Sequence, residues 1–89
     1  MNDRLERIRA ALTEAFAPES LEVEDESHLH EGHAGARDGR GHYRVFIVAA
    51  AFEGLNRVQR HRLVYETLGS MMTTDIHALA LQVYDPKEI

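Results

Sequence analysis

The 89-residue chain contains no cysteine, and this absence excludes a disulfide framework and a nucleophilic thiol. No stretch of apolar residues approaches the roughly 20 that a membrane-spanning helix needs. The N-terminus, MNDRLERIRAALTEAF, carries acidic residues as well as arginines, so it does not resemble a signal peptide. We therefore expect a protein without membrane segments in a reducing compartment, most simply the cytoplasm.

Motifs of catalysis and nucleotide binding are absent as well. The chain has no G-x-S-x-G elbow, no P-loop, no G-x-G-x-x-G and no H-E-x-x-H, so we expect a protein that is not an enzyme. Its net charge of −5 gives the whole molecule no field that attracts nucleic acid. The composition, with 44% hydrophobic and 28% charged residues, is typical of a folded protein, and we assign residues 1–89 to a single domain.

Periodic apolar residues predict one helix and two strands in the first half of the chain. The helix ends before Pro18, and its apolar positions are Leu5, Ile8, Leu12 and Phe16. The segment LEVEDES alternates like a half-exposed strand, and YRVFIVAAAF is β-branched, aromatic and apolar on both faces, which predicts the central strand. Glycines punctuate the segment between these strands, so we expect a mobile loop from about His28 to Gly41.

The second half of the chain predicts a helix, a strand and a short final helix. Asn56 can cap a helix that runs to about Ser70, and IHALALQVY alternates as a strand. Pro86 suits the first turn of a short C-terminal helix. The order α-β-β-α-β predicts an α+β fold in which helices cover one face of a three-stranded mixed sheet, with the last two strands parallel. The expected core contains Leu5, Ile8, Leu12, Val45, Ile47, Leu63, Leu68, Leu79 and Leu81.

Four of the six histidines lie between residues 25 and 43, in DESHLHEGHAGARDGRGHY: His28, His30, His33 and His42. Imidazole is a ligand for zinc, copper, nickel and iron. A zinc site, however, needs three or four fixed ligands, and ordering a glycine-rich loop is costly, so a solvated polar loop is the simpler interpretation of the spacing. His77 opens the third strand, and from its spacing alone a strand-end histidine hydrogen-bonded to the preceding loop is the favoured interpretation.

A second candidate site is the turn and helix FEGLNRVQRHRLVYETL, because phosphates bind arginines and helix N-termini. The basic residues concerned are Arg57, Arg60, His61 and Arg62. A solvated cationic helix face is the alternative, and the net charge favours it. A KH clamp would need a G-x-x-G sequence between helices, and GLNR has only the first glycine.

The segments FEGLNRVQRHRLVYETL and IHALALQVYDPKE, together with the preceding ESHLHEGHAG and HYRVFIV, closely resemble the BolA family over essentially the whole chain. The resemblance implies a class II KH-like fold, α-β-β-α-β with a possible short extra helix. It also implies a heterodimer with a monothiol glutaredoxin, in which the two proteins and the bound glutathione ligate a shared [2Fe–2S] cluster. Some members of the family also bind DNA as transcriptional regulators.

The same resemblance implies which residues bind the cluster. The family's characteristic histidine at the start of the last strand falls on His77, and the second ligand comes from the loop between the first two strands. That ligand is a histidine in one subgroup and a cysteine in another; this chain matches the histidine subgroup through His33 in EGHAG, with His30 as an alternate. We expect the isolated protein to be a monomer or weak homodimer without cofactor. The alternative function is DNA-binding regulation of stress response or cell morphology through residues 53–70.

Overall fold

The computed structural model describes residues 3–26 and 41–89 of the chain. Its regular elements are α1 (Asp3–Phe16), β1 (Ser20–Asp25), β2 (Gly41–Val48), α2 (Arg57–Leu68), α3 (Met71–Thr74) and β3 (Ile76–Tyr84). Two short 3₁₀ helices follow β2 and β3, at Ala50–Phe52 and Pro86–Glu88. The predicted mobile loop, with His28, His30 and His33, lies outside the described residues. None of the helices in the described ranges is long and apolar enough to cross a membrane.

Helix α1 forms where the apolar spacing predicts it. Ile8 and Leu12 are fully buried one turn apart, as expected for the inner face of an amphipathic helix. The helix ends at Phe16 because Ala17 adopts a left-handed backbone angle, φ 44°, and Pro18 cannot continue the hydrogen-bond ladder. Phe16 packs against Phe52, with ring centroids 4.8 Å apart, and so joins the helix to the turn after β2.

The sheet has the order β1-β2-β3, with β1 antiparallel and β3 parallel to the central strand. This confirms the predicted mixed sheet and its parallel last pair. The central strand is shorter than predicted, because it ends at Val48 and the residues Ala50–Phe52 form a 3₁₀ helix. Alanine has little preference for strands, and the turn carries Phe52 into the core, where it is fully buried.

The core lies on one face of the sheet, as predicted. Five of the expected core residues are buried, namely Ile8, Leu12, Val45, Ile47 and Leu68. The other four are partly buried and pack against the core: Leu5, Leu63, Leu79 and Leu81. The opposite face exposes alternate residues of all three strands, including Glu22, Glu24, Arg44, Ala80 and Gln82. The helices therefore bury one sheet face and leave the other toward solvent.

Helix α2 starts at the predicted cap. The Asn56 side chain accepts a hydrogen bond from the Gln59 amide and the Gln59 side chain accepts one from the Asn56 amide, which forms a capping box. The helix ends two residues earlier than expected because Gly69 adopts a positive φ of 53°. The single-turn helix α3 was not predicted, since four residues are too few to show a period. Pro86 begins the last 3₁₀ helix, as expected.

Candidate metal site and basic helix

His77 occupies an irregular position at the start of β3. Gly41 of β2 lies opposite Ile76, but the next residue, His42, lies opposite Ala78, so His77 is the additional residue of a β-bulge. Bulges redirect side chains and are common beside functional sites. Beside this bulge, Ile76 is fully buried whereas the next residue, His77, is exposed to solvent.

The imidazole of His42 packs beside that of His77. The two imidazole rings have centroids 5.1 Å apart and are tilted by 48°. In contrast to His77, His42 is buried, with 9% of its surface exposed. No sequence pattern associates the two histidines, because they are distant in the chain and on different strands. Only the parallel pairing of β2 with β3, together with the bulge, brings them together.

Asp75 fixes this end of the sheet to helix α1. Its carboxylate accepts a hydrogen bond from Arg7 (3.0 Å) and lies 3.4 Å from the Arg4 guanidinium. The hydrogen bond from Arg7 is the main cause that lowers the pKa of the Asp75 carboxyl below its ordinary value. The Asp75 carbonyl accepts a bond from the Gly41 amide at 2.9 Å, so one residue ties α1 to the starts of β2 and β3.

Gly41 is itself sterically required at the start of β2. A Cβ atom at this position would lie 2.6 Å from a carbon of the Tyr43 ring, and Tyr43 is only 2% exposed. Real Cβ contacts are essentially never this short, so a larger residue would displace either the ring or the strand. Glycine is therefore the residue that fits next to His42 without a shift of Tyr43 or of the strand.

An apolar groove adjoins His77. Its volume is about 510 Å³, and besides His77 it is lined by Tyr65, Glu66, Gly69, Met72 and Leu79. Tyr65 is one of the few exposed large hydrophobic residues in the described chain, with 40% of its surface accessible. Aromatic residues and methionine are enriched in protein interfaces. The groove places such residues directly beside an exposed imidazole.

His77 is the predicted metal ligand that lies within the described residues. Within residues 3–26 and 41–89, no group of three or more histidine, cysteine, aspartate or glutamate side chains could hold a metal ion. An exposed imidazole can nevertheless donate to iron when a second protein supplies the other ligands. His77 fits that role. The predicted second ligand, His33 or its alternate His30, lies outside the described residues.

Arg60 does not lie on the exposed basic face that the sequence predicted, and its assignment as a nucleic-acid-binding residue is corrected. The residue is 8% exposed. Its guanidinium donates to the carbonyls of Leu55 (2.9 Å) and Val83 (3.2 Å), and to the carboxylates of Glu88 (2.6 Å) and Asp85 (3.4 Å). Because the guanidinium donates its hydrogen bonds to these four acceptors within the protein, Arg60 ties α2 to the end of β3 and is not available to bind a phosphate.

The other members of the basic helix differ in their accessibility. Arg57 and Arg62 are exposed, and His61 is half-buried. Burial, and then the charge of Arg57, lower the pKa of His61 below its ordinary value, so its protonated form is disfavoured. The capping box of Asn56 also occupies an amide at the start of the helix. Arg57 and Arg62 are therefore the two arginines of α2 that are exposed to solvent.

The fold and the residues around His77 define a class of protein. Residues 12–88 match the family model described as BolA-like protein, and the chain belongs to this family. It is 47% identical over 85 residues to the "Uncharacterized protein in cobS 5'region" of Sinorhizobium sp, covering 93% of this chain and 91% of that protein. It is 43% identical over 83 residues to the "DNA-binding transcriptional regulator BolA" of Escherichia coli strain K12, covering 93% and 76%.

Solved structures agree with this assignment. The BolA domain of SufE1 from Arabidopsis thaliana superposes with a TM-score of 0.88 at 36% identity, covering 100% of this chain and 99% of that domain. The chain spans 57% and 24% of the lengths of two curated Arabidopsis thaliana proteins that it matches. The α+β fold with a three-stranded mixed sheet, expected from the sequence, is thus the fold of BolA domains.

Proposed function

We propose that this chain pairs with a monothiol glutaredoxin and co-ligates a [2Fe–2S] cluster shared by the two proteins, acting in iron–sulfur or iron homeostasis as a binding protein rather than an enzyme. The observation that carries the proposal is the bulge that exposes His77 beside an apolar groove. The glutaredoxin and its glutathione would supply thiolates. This chain would supply imidazoles from His77 and from His33, or from His30 in place of His33.

The residues of this chain would act by holding a ligand and offering a docking surface. The backbone of His77 is fixed within β3, so its imidazole can meet a partner's iron without an ordering step for the whole strand. When bound, a cluster supplies one-electron chemistry, and imidazole in place of thiolate raises its reduction potential. Tyr65 and Met72 would contact the partner. We place the complex in the cytoplasm, where glutathione keeps thiols reduced.

The experiment is to mix the protein with a cluster-loaded monothiol glutaredoxin and to follow visible absorption and circular dichroism. We expect a new visible dichroic spectrum and a complex of one copy of each protein on size exclusion. His77→Ala should lose this spectrum, and His33→Ala should weaken it less, because His30 can replace the loop ligand. His61→Ala, a histidine that lines a different groove, is the matched control and should behave as wild type. An unchanged glutaredoxin spectrum on mixing would reject the proposal.

DNA binding is a second candidate function. It is favoured by the printed name of the Escherichia coli relative and by the exposed arginines Arg57 and Arg62. We expect weak binding that falls steeply with salt and depends little on sequence, because phosphate contacts carry little sequence information. The double variant Arg57→Ala/Arg62→Ala should remove it in fluorescence anisotropy, whereas Arg9→Ala, an exposed arginine of α1, should not. Equal affinity of the double variant and wild type would reject this candidate.

A further inference from the structure

We propose that the outer edge of β3 binds an extended peptide, which adds to the sheet as a further strand and places an acidic side chain beside Arg57. The sheet order β1-β2-β3 pairs β3 with β2 on one side, and within residues 3–26 and 41–89 no strand pairs with its other side. An unpaired strand edge is a template for another chain, and several peptide-binding domains use this mode of recognition. The inference goes beyond the shared cluster and does not depend on it.

A groove at the end of β3 shows where the peptide would lie. Its volume is about 650 Å³, and the consecutive strand residues 81–84 all line it. Successive side chains of a strand point to opposite faces of the sheet, so a groove lined by a continuous run follows the backbone edge rather than one face. The other edge of β3 is paired with β2, so this groove follows the outer edge. It shares no lining residue with the groove beside His77.

The directions of two carbonyl groups identify the backbone groups that face this edge. The Tyr84 carbonyl accepts a hydrogen bond from the Ala49 amide (3.0 Å), just after β2, so it points toward the central strand. The preceding carbonyl, of Val83, points away from that strand and accepts a bond from a guanidinium of α2 (3.2 Å). Because the direction alternates along a strand, Leu81 and Leu79 also direct their N–H and C=O groups outward.

Both ends of this edge are closed to pairing, whereas the middle is not. The β-bulge at His77 interrupts the beginning, and Arg60 occupies the Val83 carbonyl at the end. Bulges and charged side chains are devices that prevent strand pairing. Between them, no other residue of the described ranges forms a hydrogen bond with the outward groups of Leu79 and Leu81. These two residues therefore offer two N–H donors and two C=O acceptors to an added strand.

The opposite wall of the groove favours an acidic peptide. It is formed by α2 and the turn before it, and it contains Arg57, Arg60 and His61. Arg60 is paired with Glu88 (2.6 Å), whereas Arg57 is exposed and forms no ion pair with the described residues. Burial and then the charge of Arg57 lower the pKa of His61, so the positive potential of Arg57 extends along this wall. A carboxylate on the peptide would complement that potential.

Two other occupants complement the groove less well. A nucleic acid would offer phosphate oxygens, which accept hydrogen bonds but cannot donate to the carbonyls of Leu79 and Leu81. A second copy of this chain, paired through its own β3, would bring a second Arg57 toward the first, because such an interface is symmetric. A peptide strand supplies both donors and acceptors, and it can carry the opposite charge.

The test uses the whole protein and a fluorescein-labelled heptapeptide that alternates valine and threonine around a central glutamate. Fluorescence anisotropy should give a dissociation constant below about 1 mM, which two pairs of backbone hydrogen bonds of ordinary strength supply. Two further peptides carry N-methyl groups on alternate amides, in one phase or the other. Only one phase faces β3, so one methylated peptide should bind at least about tenfold more weakly, whereas the other should bind like the parent peptide.

Variants of the protein test the two walls separately. Leu81→Pro removes an outward N–H at a strand edge, where proline is tolerated, and should weaken binding of the parent peptide roughly fivefold. Arg57→Glu should abolish the preference for the glutamate peptide over its glutamine counterpart. Arg62→Glu, an exposed arginine of the same helix that lines a different groove, is the control and should keep that preference. If Leu81→Pro fails to fold, as judged by far-ultraviolet dichroism, the methylated peptides decide the same point on wild-type protein.

Amide hydrogen exchange locates the bound peptide, because the amides of Leu79 and Leu81 should exchange more slowly in its presence. Equal affinity for the parent and both methylated peptides, binding by none of them, or unchanged affinity in folded Leu81→Pro would overturn the inference. An unchanged preference for glutamate in Arg57→Glu would overturn its acidic specificity. Slower exchange of the same amides with a single-stranded oligothymidylate instead would assign the edge to nucleic acid. Slower exchange as the concentration of the protein alone rises would assign the edge to a second copy.

Discussion

An ionisable side chain lies at each end of strand β3, and the two differ in their exposure to solvent. At the beginning, His77 stands exposed on a bulge, beside an apolar groove. At the end, the guanidinium of Arg60 is surrounded by backbone carbonyls and by the carboxylates of Asp85 and Glu88. The first group can be reached by a second protein, whereas the second is used to hold α2, β3 and the C-terminal turn together. Exposure, and not residue type, separates the functional candidate from the structural one.

The largest effect is expected from breaking the buried end. Arg60→Met should lower the free energy of unfolding by about 3 kcal/mol, because it leaves the carboxylate of Asp85 buried without its cation. Urea unfolding followed by far-ultraviolet dichroism measures the loss. Arg57→Ala, an exposed arginine on the same helix, is the control and should change stability by less than about 0.5 kcal/mol. Equal stability of the two variants would mean that the hydrogen bonds and ion pairs of Arg60 do not stabilise the fold.

A smaller loss is expected at the beginning of the sheet. Gly41→Ala should cost about 2 kcal/mol, because the new methyl group would overlap the Tyr43 ring. A double-mutant cycle isolates this cause. In the background Tyr43→Leu the same alanine should cost at least about 1 kcal/mol less, since the ring that it would meet is gone. Additive costs in the cycle would show that the overlap is not the origin of the requirement for glycine.

The ion pairs of Asp75 should contribute less to stability than either the Arg60 network or the packing at Gly41. Asp75→Asn keeps the shape of the side chain but removes its charge, and the expected loss is about 1 kcal/mol, since Arg7 is exposed to solvent and Arg4 is partly exposed. Glu6→Gln serves as the control, because its pair with Arg9 is exposed on both sides and should contribute almost nothing. A loss of stability as large as that of Arg60→Met would contradict the expectation that the Asp75 ion pairs contribute less than the buried Arg60 network.

The smallest effect is a pH dependence that originates at His61. Folding lowers the pKa of this imidazole through burial and the charge of Arg57, so the unfolded chain binds its proton more readily. Protonation of His61 therefore favours the unfolded chain. The free energy of unfolding is unaffected by this group above its ordinary pKa of 6.5 and declines as the pH falls through that value. His61→Gln should show a shallower loss of stability than wild type over this window. Parallel curves for the two proteins would contradict the assigned cause.

The fold could be predicted from the sequence because its elements carry strong periods. The spacing of Ile8 and Leu12, the cap at Asn56 and the alternation of IHALALQVY each indicate one structure, and all three are confirmed. The short helix α3 and the early end of β2 could not be predicted. Helix α3 has four residues, too few to show a period. The end of β2 is decided by packing, because the turn that follows it buries Phe52 in the core.

The site was only partly predictable. His77 followed from a family resemblance, but its bulge depends on how β2 and β3 pair, which no local pattern encodes. For the same reason the contact of His42 with His77 was missed. Arg60 was grouped with Arg57 and Arg62 because adjacent cations look alike in a sequence. Helical geometry turns Arg60 inward, toward Asp85, which is 25 residues away in the chain.

The most direct test of the account measures His77→Ala and Arg60→Met on the same two scales, the free energy of unfolding and the visible dichroism of a cluster shared with a monothiol glutaredoxin. His77→Ala should unfold within about 0.5 kcal/mol of wild type and lose the dichroism. Arg60→Met, kept at a temperature where it is folded, should lose about 3 kcal/mol and retain the dichroism. A His77→Ala complex with the wild-type spectrum would contradict the account.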